Sequence, residues 1–225
     1  GIQIFPSKFV LKIKRNSDGS IERYTARLVL LGHLQRPKVD LFDTYAPVVD
    51  FTAVRIALVI ASQENMAIHH LDVKCAFPHG NIEEDIYMRL PEQFAPTDGT
   101  VCKLKRSIYG LRQAPRAWND RLASDLKGLD YKPFQYAESI FWRDKFGVKV
   151  FLLVYVDDIM LISSSHDQAE IQSVKDEISN LYKIKDLGKA VYFLGIKIDY
   201  DKKGNIKLSQ TRYIENILER FNMTE

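Results

Sequence analysis

Two adjacent carboxylates, Asp157 and Asp158, stand inside the most apolar part of the sequence. Residues 150–162 otherwise read as two buried strands, and an Asp-Asp pair is a poor tight turn because neither residue takes a positive φ without strain. Like charges beside an apolar core repel each other and lose hydration, and a divalent cation would offset both effects. Hard carboxylate oxygens favour Mg²⁺, with Mn²⁺ as a second candidate. The alternative interpretation is a solvated surface turn.

A third carboxylate, Asp72, ends another apolar strand, His-His-Leu-Asp-Val. An antiparallel sheet could bring Asp72 beside the tip of the later hairpin. Three carboxylates at one sheet end can hold two Mg²⁺ ions about 3.5 to 4 Å apart, one activating an attacking hydroxyl and one steadying the leaving oxygens. The sequence therefore predicts phosphoryl-transfer chemistry. Because neighbours on a strand point to opposite faces, His69 and His70 are not expected to share a metal, and we predict no catalytic role for them.

Charge is distributed unevenly along the 225 residues. The net charge is +3, but residues 1–39 carry +6, residues 101–132 carry +5 and the remainder carries −8. Two basic blocks and an acidic remainder are typical of a protein that holds phosphates with some segments and cations with another, although ordinary solvated Lys and Arg would give the same count. The two cysteines lack a metal-ligand spacing, so neither a zinc site nor a disulfide framework is expected.

A sheet must position the carboxylates, and the residue periodicities predict one. Residues 9–14 and 21–31 read as a basic hairpin around a turn at residues 16–20. Further strands are predicted at residues 66–77, 86–90, 101–105, 139–142, 148–162, 191–200 and 205–209. Helices are predicted after Thr52 as an N-cap, from Pro115 in a first turn, and over residues 168–182. This irregular alternation is typical of an α+β domain. Because the sequence stops inside an amphipathic helix at Thr224-Glu225, we expect a piece of a longer polypeptide.

Several blocks of the sequence resemble reverse transcriptases, and copia-type retrotransposon reverse transcriptases in particular. Tyr155-Val156-Asp157-Asp158 is similar to their Tyr-x-Asp-Asp box, and residues 71–77 are similar to their first catalytic aspartate motif. The copia-type resemblance adds the blocks at residues 24–29, 45–49, 107–118 and 192–196. These blocks follow the family's order and cover nearly the whole chain. The resemblance implies an RNA-directed DNA polymerase domain of a Pol polyprotein, in which a primer 3′-hydroxyl attacks the α-phosphate of a deoxynucleoside triphosphate.

The resemblance also implies the fingers and palm of a right-hand polymerase, with the thumb missing or incomplete. Fingers would lie mainly in residues 1–71 and 78–118, palm mainly in 72–77 and 119–190, a primer-grip hairpin in 191–209, and the start of a thumb or connection in 210–225. The implied partners are an RNA or DNA template with its primer, dNTPs, and the remainder of the Pol polyprotein, including integrase and ribonuclease H. A cytoplasmic virus-like particle, with nuclear access and no membrane partner, is the expected location.

Each site residue takes its role from the same resemblance. Asp72, Asp157 and Asp158 would be catalytic metal ligands, with Val73 in the same metal site. The residues implied in nucleotide binding are Lys14, Arg15, Arg27, Phe77 and Tyr109. Those implied in template or primer binding are Gly110, Arg112, Gln113, Tyr155, Leu194 and Gly195. Any of the three basic residues could instead face a template phosphate or solvent, and the aromatic rings could pack in the core.

Two positions depart from the family pattern. Cys75 stands where Asn is frequent, and Pro78 stands where a bulky apolar residue is common. Proline fixes φ and removes an amide donor, which would alter the nucleotide pocket. The alternative function is a catalytically inactive or domesticated fragment that binds nucleic acid. A phosphorelay receiver is disfavoured because its acidic pair should precede its single Asp.

Overall fold

The computed structural model of the chain describes residues 2–15, 20–40, 42–96 and 98–223. The chain divides into two compact units. The first unit joins residues 1–46 to residues 75–124, and the second joins residues 47–74 to residues 125–225. Within the described ranges, no helix combines the length and the apolar character that crossing a membrane requires.

Thirteen strands and four α-helices lie in the described ranges. In chain order the strands are β1 (Ile4–Arg15), β2 (Ile21–Leu30), β3 (Ala67–Val73), β4 (Tyr87–Arg89), β5 (Cys102–Lys103), β6 (Lys132–Phe134), β7 (Ala137–Lys145), β8 (Val148–Tyr155), β9 (Asp158–Ser163), β10 (Ile184–Lys189), β11 (Tyr192–Phe193), β12 (Ile196–Tyr200) and β13 (Ile206–Ser209). The α-helices are α1 (Phe51–Gln63), α2 (Ala114–Gly128), α3 (Gln168–Leu181) and α4 (Thr211–Arg220). Short 3₁₀ helices span Gly32–Leu34, Phe77–His79 and Glu92–Phe94. The α+β prediction is therefore confirmed.

The first unit contains a four-stranded sheet in the order β2-β1-β4-β5. β1 and β2 form the predicted antiparallel hairpin, and β4 runs parallel to β1. Residues 16–19 of the turn predicted at residues 16–20 lie outside the described residues. A small core under the sheet includes Phe5, Leu30, Met88 and Leu111, all at most 3% exposed. This core anchors only the base of the hairpin, because most of β1 and β2 is exposed.

The second unit contains a six-stranded antiparallel sheet in the order β10-β3-β9-β8-β7-β6. β9 and β8 lie at its centre, and Leu152, Leu153 and Leu161 are fully buried. α1 and the three-stranded sheet β11-β12-β13 contribute residues to the same core. Burying each large apolar side chain stabilises the fold by roughly 1.5–3 kcal/mol. The strands that carry Asp72 and Asp158 therefore belong to the most buried part of this unit.

Several local predictions were wrong, and one is the predicted strand at residues 191–200, which a turn between β11 and β12 interrupts. α1 is capped by Asp50, whose Oδ1 accepts from the amide of Ala53 at 2.7 Å, while Thr52 lies inside the helix. The third predicted strand ends at Val73 and not at Phe77, because a turn and a 3₁₀ helix follow. β10 was missed because its residues are mostly polar and exposed, as an edge strand allows, so apolar alternation does not mark it.

Candidate active site

The register of β3 and β9 brings the predicted carboxylates to one end of the sheet. Asp72 lies directly opposite Asp158, so both side chains project from the same face. The amide of Val73 donates to the carbonyl oxygen of Asp157 at 2.7 Å. The backbone segments that carry the single and the paired carboxylates therefore meet at the hairpin tip, although they are 85 residues apart in sequence, counted from Asp72 to Asp157.

The β8–β9 turn differs from the one expected. Tyr155 pairs with Asp158 across the turn, so the two central residues are Val156 and Asp157, and Asp158 already begins β9. The positive φ falls on Val156, at 56°. A β-branched residue in this region is a backbone outlier that costs on the order of 1–3 kcal/mol. The turn thus holds Asp157 in place at the expense of strain in its neighbour.

Each carboxylate on the shared face contacts a nitrogen-bearing side chain. The ammonium of Lys74 contacts Oδ2 of Asp72, and Nε2 of His70 lies 2.7 Å from Oδ1 of Asp158. Lys185, on β10, is the cross-strand partner of Asp72 on its other side. Lys74 and Lys185 therefore both bring positive charge to the neighbourhood of Asp72.

The oxygen donors at this end of the sheet are of the chemical type that hard divalent cations prefer. Carboxylate oxygens are available at Asp72, Asp157 and Asp158, while Val73 can offer only its backbone carbonyl oxygen. Among the described residues, no group of three or more His, Cys, Asp and Glu side chains is arranged to hold a metal ion. Binding of a cation at Asp72 would require the ammonium of Lys74 to leave Oδ2. The backbone brings the right groups together, and the side chains need to reorient.

In the first unit, three of the residues predicted to bind nucleotide form a continuous contact. The rings of Phe77 and Tyr109 meet edge to face, with centroids 4.9 Å apart. The guanidinium of Arg27 lies 4.9 Å from the centroid of the Tyr109 ring, at cation–π distance. The amide of Leu30, at the end of β2, donates to the carbonyl oxygen of Tyr109 at 2.9 Å and fixes the loop beneath the ring.

The β1–β2 hairpin has a basic face and an apolar face. Lys14 pairs with Arg23, and Arg27 pairs with Val10, so all three basic residues share one face. The basic face consists of Lys8, Lys12, Lys14, Arg23 and Arg27, with Val10, Thr25 and Val29 between them. Arg15 ends β1, and its side chain lies outside the described part of the chain. The apolar face presents Phe9, Leu11, Ile13, Tyr24, Ala26 and Leu28.

The block at residues 107–118 is only partly at the surface. Gln113 is 4% exposed, and its Oε1 accepts from Nε2 of Gln35 at 2.9 Å, which favours a structural role. Arg112 is exposed, and its amide donates to Oε1 of Gln35. Gly110 has a φ of 91°, and a Cβ there would lie 2.0 Å from the carbonyl oxygen of Leu30. The predicted close approach at Gly110 therefore exists, but to the protein's own backbone.

The hairpin predicted to grip the primer is a tight β11–β12 turn. Its central residues Leu194 and Gly195 both have positive φ, at 48° and 79°. Phe193, just before the turn, is 1% exposed and meets the ring of His70 edge to face at 5.4 Å. Tyr155 is 39% exposed on the face that it shares with Asp158.

His70 belongs to this site through its contact with Asp158, a role that was not predicted from the sequence. Strand alternation contained the signal, because His70 and Asp72 are two residues apart and therefore lie on the same face of β3.

Comparisons with known proteins agree with the sequence motifs. The family model described as "Reverse transcriptase (RNA-dependent DNA polymerase)" matches residues 1–225. The chain is 40% identical to the Pol polyprotein of transposon TNT 1-94 from Nicotiana tabacum over 96% of its own length and 16% of the relative. It is 38% identical to the Pol polyprotein of transposon RE1 from Arabidopsis thaliana over 99% of its length and 15% of the relative.

A yeast relative and one solved structure are more distant. The putative transposon Ty5-1 protein of Saccharomyces cerevisiae is 32% identical over 69% of this chain and 52% of its own length. Apo telomerase from Candida tropicalis, truncated from its C-terminal domain, aligns with 93% of this chain and 56% of its own at 12% identity. Its TM-score of 0.42 is too low to support an argument.

This chain spans about one sixth of the length of the two plant polyproteins. The family match covers the whole sequence, and the similar relatives are copia-type Pol polyproteins, so the resemblance in the motifs is confirmed. The chain therefore belongs to the reverse transcriptase (RNA-dependent DNA polymerase) family.

Proposed function

We propose that this chain is the RNA-directed DNA polymerase domain of a copia-type retrotransposon polyprotein and extends a primer by nucleotidyl transfer from dNTPs. The observation that carries the proposal is the β3–β9 register, which sets Asp72 opposite Asp158 and beside Asp157. Bound Mg²⁺, or Mn²⁺, would neutralise the reacting phosphates and activate the primer hydroxyl. Asp72, Asp157 and Asp158 would hold the cations through carboxylate oxygens, and Val73 could add its backbone carbonyl oxygen.

The residues of the first unit bind and orient the nucleotide in this proposal. Arg27 places its positive charge against the triphosphate while its guanidinium is steadied by the Tyr109 ring. Phe77, whose ring contacts that of Tyr109 edge to face, is the proposed steric block to a ribose 2′-hydroxyl. Lys14, on the same face of the hairpin as Arg27, adds charge for phosphate. Catalysis is then mainly positioning and charge neutralisation.

We assign the fingers to the first unit and the palm to the second. Residues 47–71 would then belong to the palm, because α1 and β3 share the core of the second unit. Residues 191–209 would form the primer grip, and residues 210–225 would begin a thumb or connection. An RNA or DNA template with a primer, dNTPs, and the integrase and ribonuclease H parts of the polyprotein are the proposed partners. A cytoplasmic virus-like particle is the proposed location.

Primer extension tests the proposal directly. The purified chain would be incubated with an RNA template, an annealed DNA primer, dNTPs and Mg²⁺, beside an Asp157→Asn variant of equal stability. We expect extension by the natural chain and a loss of about 100- to 1,000-fold in the variant, because one of the carboxylates that would hold the cation has been removed. Binding of the template without any extension by the natural chain would support the inactive-fragment alternative instead.

A further inference from the structure

One side chain in the second unit connects a catalytic carboxylate to the β11–β12 hairpin. Nε2 of His70 lies 2.7 Å from Oδ1 of Asp158, a short hydrogen bond to a carboxylate. The His70 ring also meets the Phe193 ring at 5.4 Å, with 78° between the ring planes. His70 thus has a polar contact on one side and an aromatic contact on the other.

Strand geometry explains why His70 can reach Asp158. β3 pairs His70 with Met160 and Asp72 with Asp158, so these four side chains project from one face of the sheet. His70 and Asp158 are diagonal neighbours on that face, within reach of a long planar side chain. His69 projects from the other face and cannot make the same contact. The neighbouring histidines therefore offer a natural matched comparison.

Burial restricts the motion of the His70 side chain. Its side chain is 13% exposed, whereas the side chain of Asp158 is 34% exposed. Phe193 is 1% exposed and belongs to the core that also contains Met160. A ring packed between a fixed aromatic and the sheet has few alternative rotamers, so its Nε2 is held in one place. Asp158, which is more exposed, gains its orientation from His70.

We propose that His70 is a positioning residue that holds the carboxylate of Asp158 in place and ties it to the hairpin of residues 192–200. This inference rests on the proposed polymerase function for its kinetic consequences. Asp158 begins β9 directly after a strained turn, so a second attachment limits the motion of its side chain. Outer partners of metal-site carboxylates commonly change activity by about 10- to 100-fold when removed.

Two substitutions separate the polar contact from the packing contact. His70→Phe keeps an aromatic ring against Phe193 but has no donor for Asp158. His70→Gln loses the ring, but its Nε2 can occupy the position of the histidine Nε2 and donate to Asp158. Both variants would be compared with the natural chain by kcat and KM for dNTP in primer extension, together with the thermal unfolding midpoint. His69→Gln is the matched control on the opposite face.

The proposal predicts that kcat depends on a hydrogen-bond donor to Asp158 at position 70. We expect kcat to fall about tenfold in the His70→Phe variant with little change in KM, and to recover most of that loss in the His70→Gln variant. The proposal is overturned if His70→Phe retains full kcat, or if the phenylalanine and glutamine variants lose kcat in proportion to lost stability.

A spectroscopic measurement tests the contact without any need for turnover. In the ¹⁵N-histidine-labelled chain, the ring nitrogens of His70 are assigned by their loss in the His70→Gln variant. An Asp158→Asn change should shift the Nε2 resonance of His70 and leave that of His69 in place. An unshifted Nε2 resonance overturns the proposal. If the natural chain does not extend a primer, the proposed function fails, and this measurement still decides whether His70 holds Asp158.

Discussion

Two antiparallel hairpins, β1–β2 in the first unit and β8–β9 in the second, carry charged residues and differ in what covers them. In β1–β2 the apolar side chains remain in solvent, with Leu11 76% and Tyr24 73% exposed. In β8–β9 the apolar side chains of both faces are buried, with Leu152 on one face and Leu153 on the other at 0% exposure. The same secondary structure is therefore an exposed arm in one unit and the centre of a sheet in the other.

This difference in burial explains why the charged residues of the two hairpins differ in their contacts. The basic residues of β1–β2 are hydrated by solvent, so five of them can share one face. Asp158 lies beside a buried sheet, where an unbalanced charge is costly, and it is bonded to His70. Asp72, on the paired strand, contacts Lys74. Burial, more than net charge, determines which ionised groups need fixed partners in this molecule.

Truncating one leucine in each hairpin should give the largest difference in unfolding free energy between the two hairpins. Leu153→Ala should lower the free energy of unfolding by about 2–5 kcal/mol, because it leaves a cavity in the second unit's core. Leu11→Ala should change it by less than about 0.5 kcal/mol, because Leu11 is mostly in solvent. Urea unfolding of both variants measures the difference. Similar losses in the two variants would mean that β1–β2 is covered in solution.

The strained β8–β9 turn should become more stable with glycine. Val156→Gly removes the penalty of a β-branched residue at positive φ, and we expect a gain of about 1 kcal/mol in unfolding free energy after the entropic cost of glycine. Primer extension should fall, because Asp157 is less firmly held. Val150→Gly, a control in the buried part of β8, should destabilise the chain by more than about 2 kcal/mol. A loss of unfolding free energy in the Val156→Gly variant would show that the backbone of Val156 is not strained.

A lysine on the basic hairpin should matter for nucleic-acid binding and not for folding. Lys14→Gln should weaken binding of a primer–template several-fold and reduce the slope of log affinity against log salt by about 1, because one phosphate contact is lost. Lys149→Gln on β8 is the matched control and should leave the slope unchanged. Fluorescence anisotropy at several salt concentrations measures both. Equal slopes for the natural chain and Lys14→Gln would show that Lys14 does not contact a phosphate of the primer–template.

The buried sheet should also make stability depend mildly on pH through His69, which lies on β3. Burial lowers the pKa of His69, Lys175 and Lys189 lower it further, and Asp186 opposes them. The unfolded chain binds this proton near pH 6.5, whereas the folded chain resists it. The stability contribution is therefore complete above about pH 6.5 and is lost as the pH falls through the depressed folded value.

Urea unfolding at pH 7.5 and pH 5.5 measures this dependence. His69→Gln should show a smaller loss of unfolding free energy between the two pH values than the natural chain. All other titrating groups are shared, so the difference isolates His69. An identical loss in both chains would show that the His69 ring is hydrated and not buried.

Much of the fold could be predicted from local pattern. Alternation marked the β1–β2 hairpin, a continuous apolar run marked β8–β9, and a helical stripe marked α3, because each pattern follows the geometry of its element. β10 escaped prediction because its pairing with β3 comes from tertiary contact and leaves no apolar period. The cap at Asp50 escaped because Thr52 is an equally plausible capping residue and only the backbone decides between them.

The sequence by itself determined the chemistry: three carboxylates, and motifs specific enough to identify the family. Tertiary structure alone decided the register that puts Asp72 opposite Asp158, the contact of His70 with that carboxylate, and the exposure of β1–β2. The reason is physical. Residue type sets what a group can bind, but pairing between distant strands sets which groups meet, and local sequence does not encode that pairing.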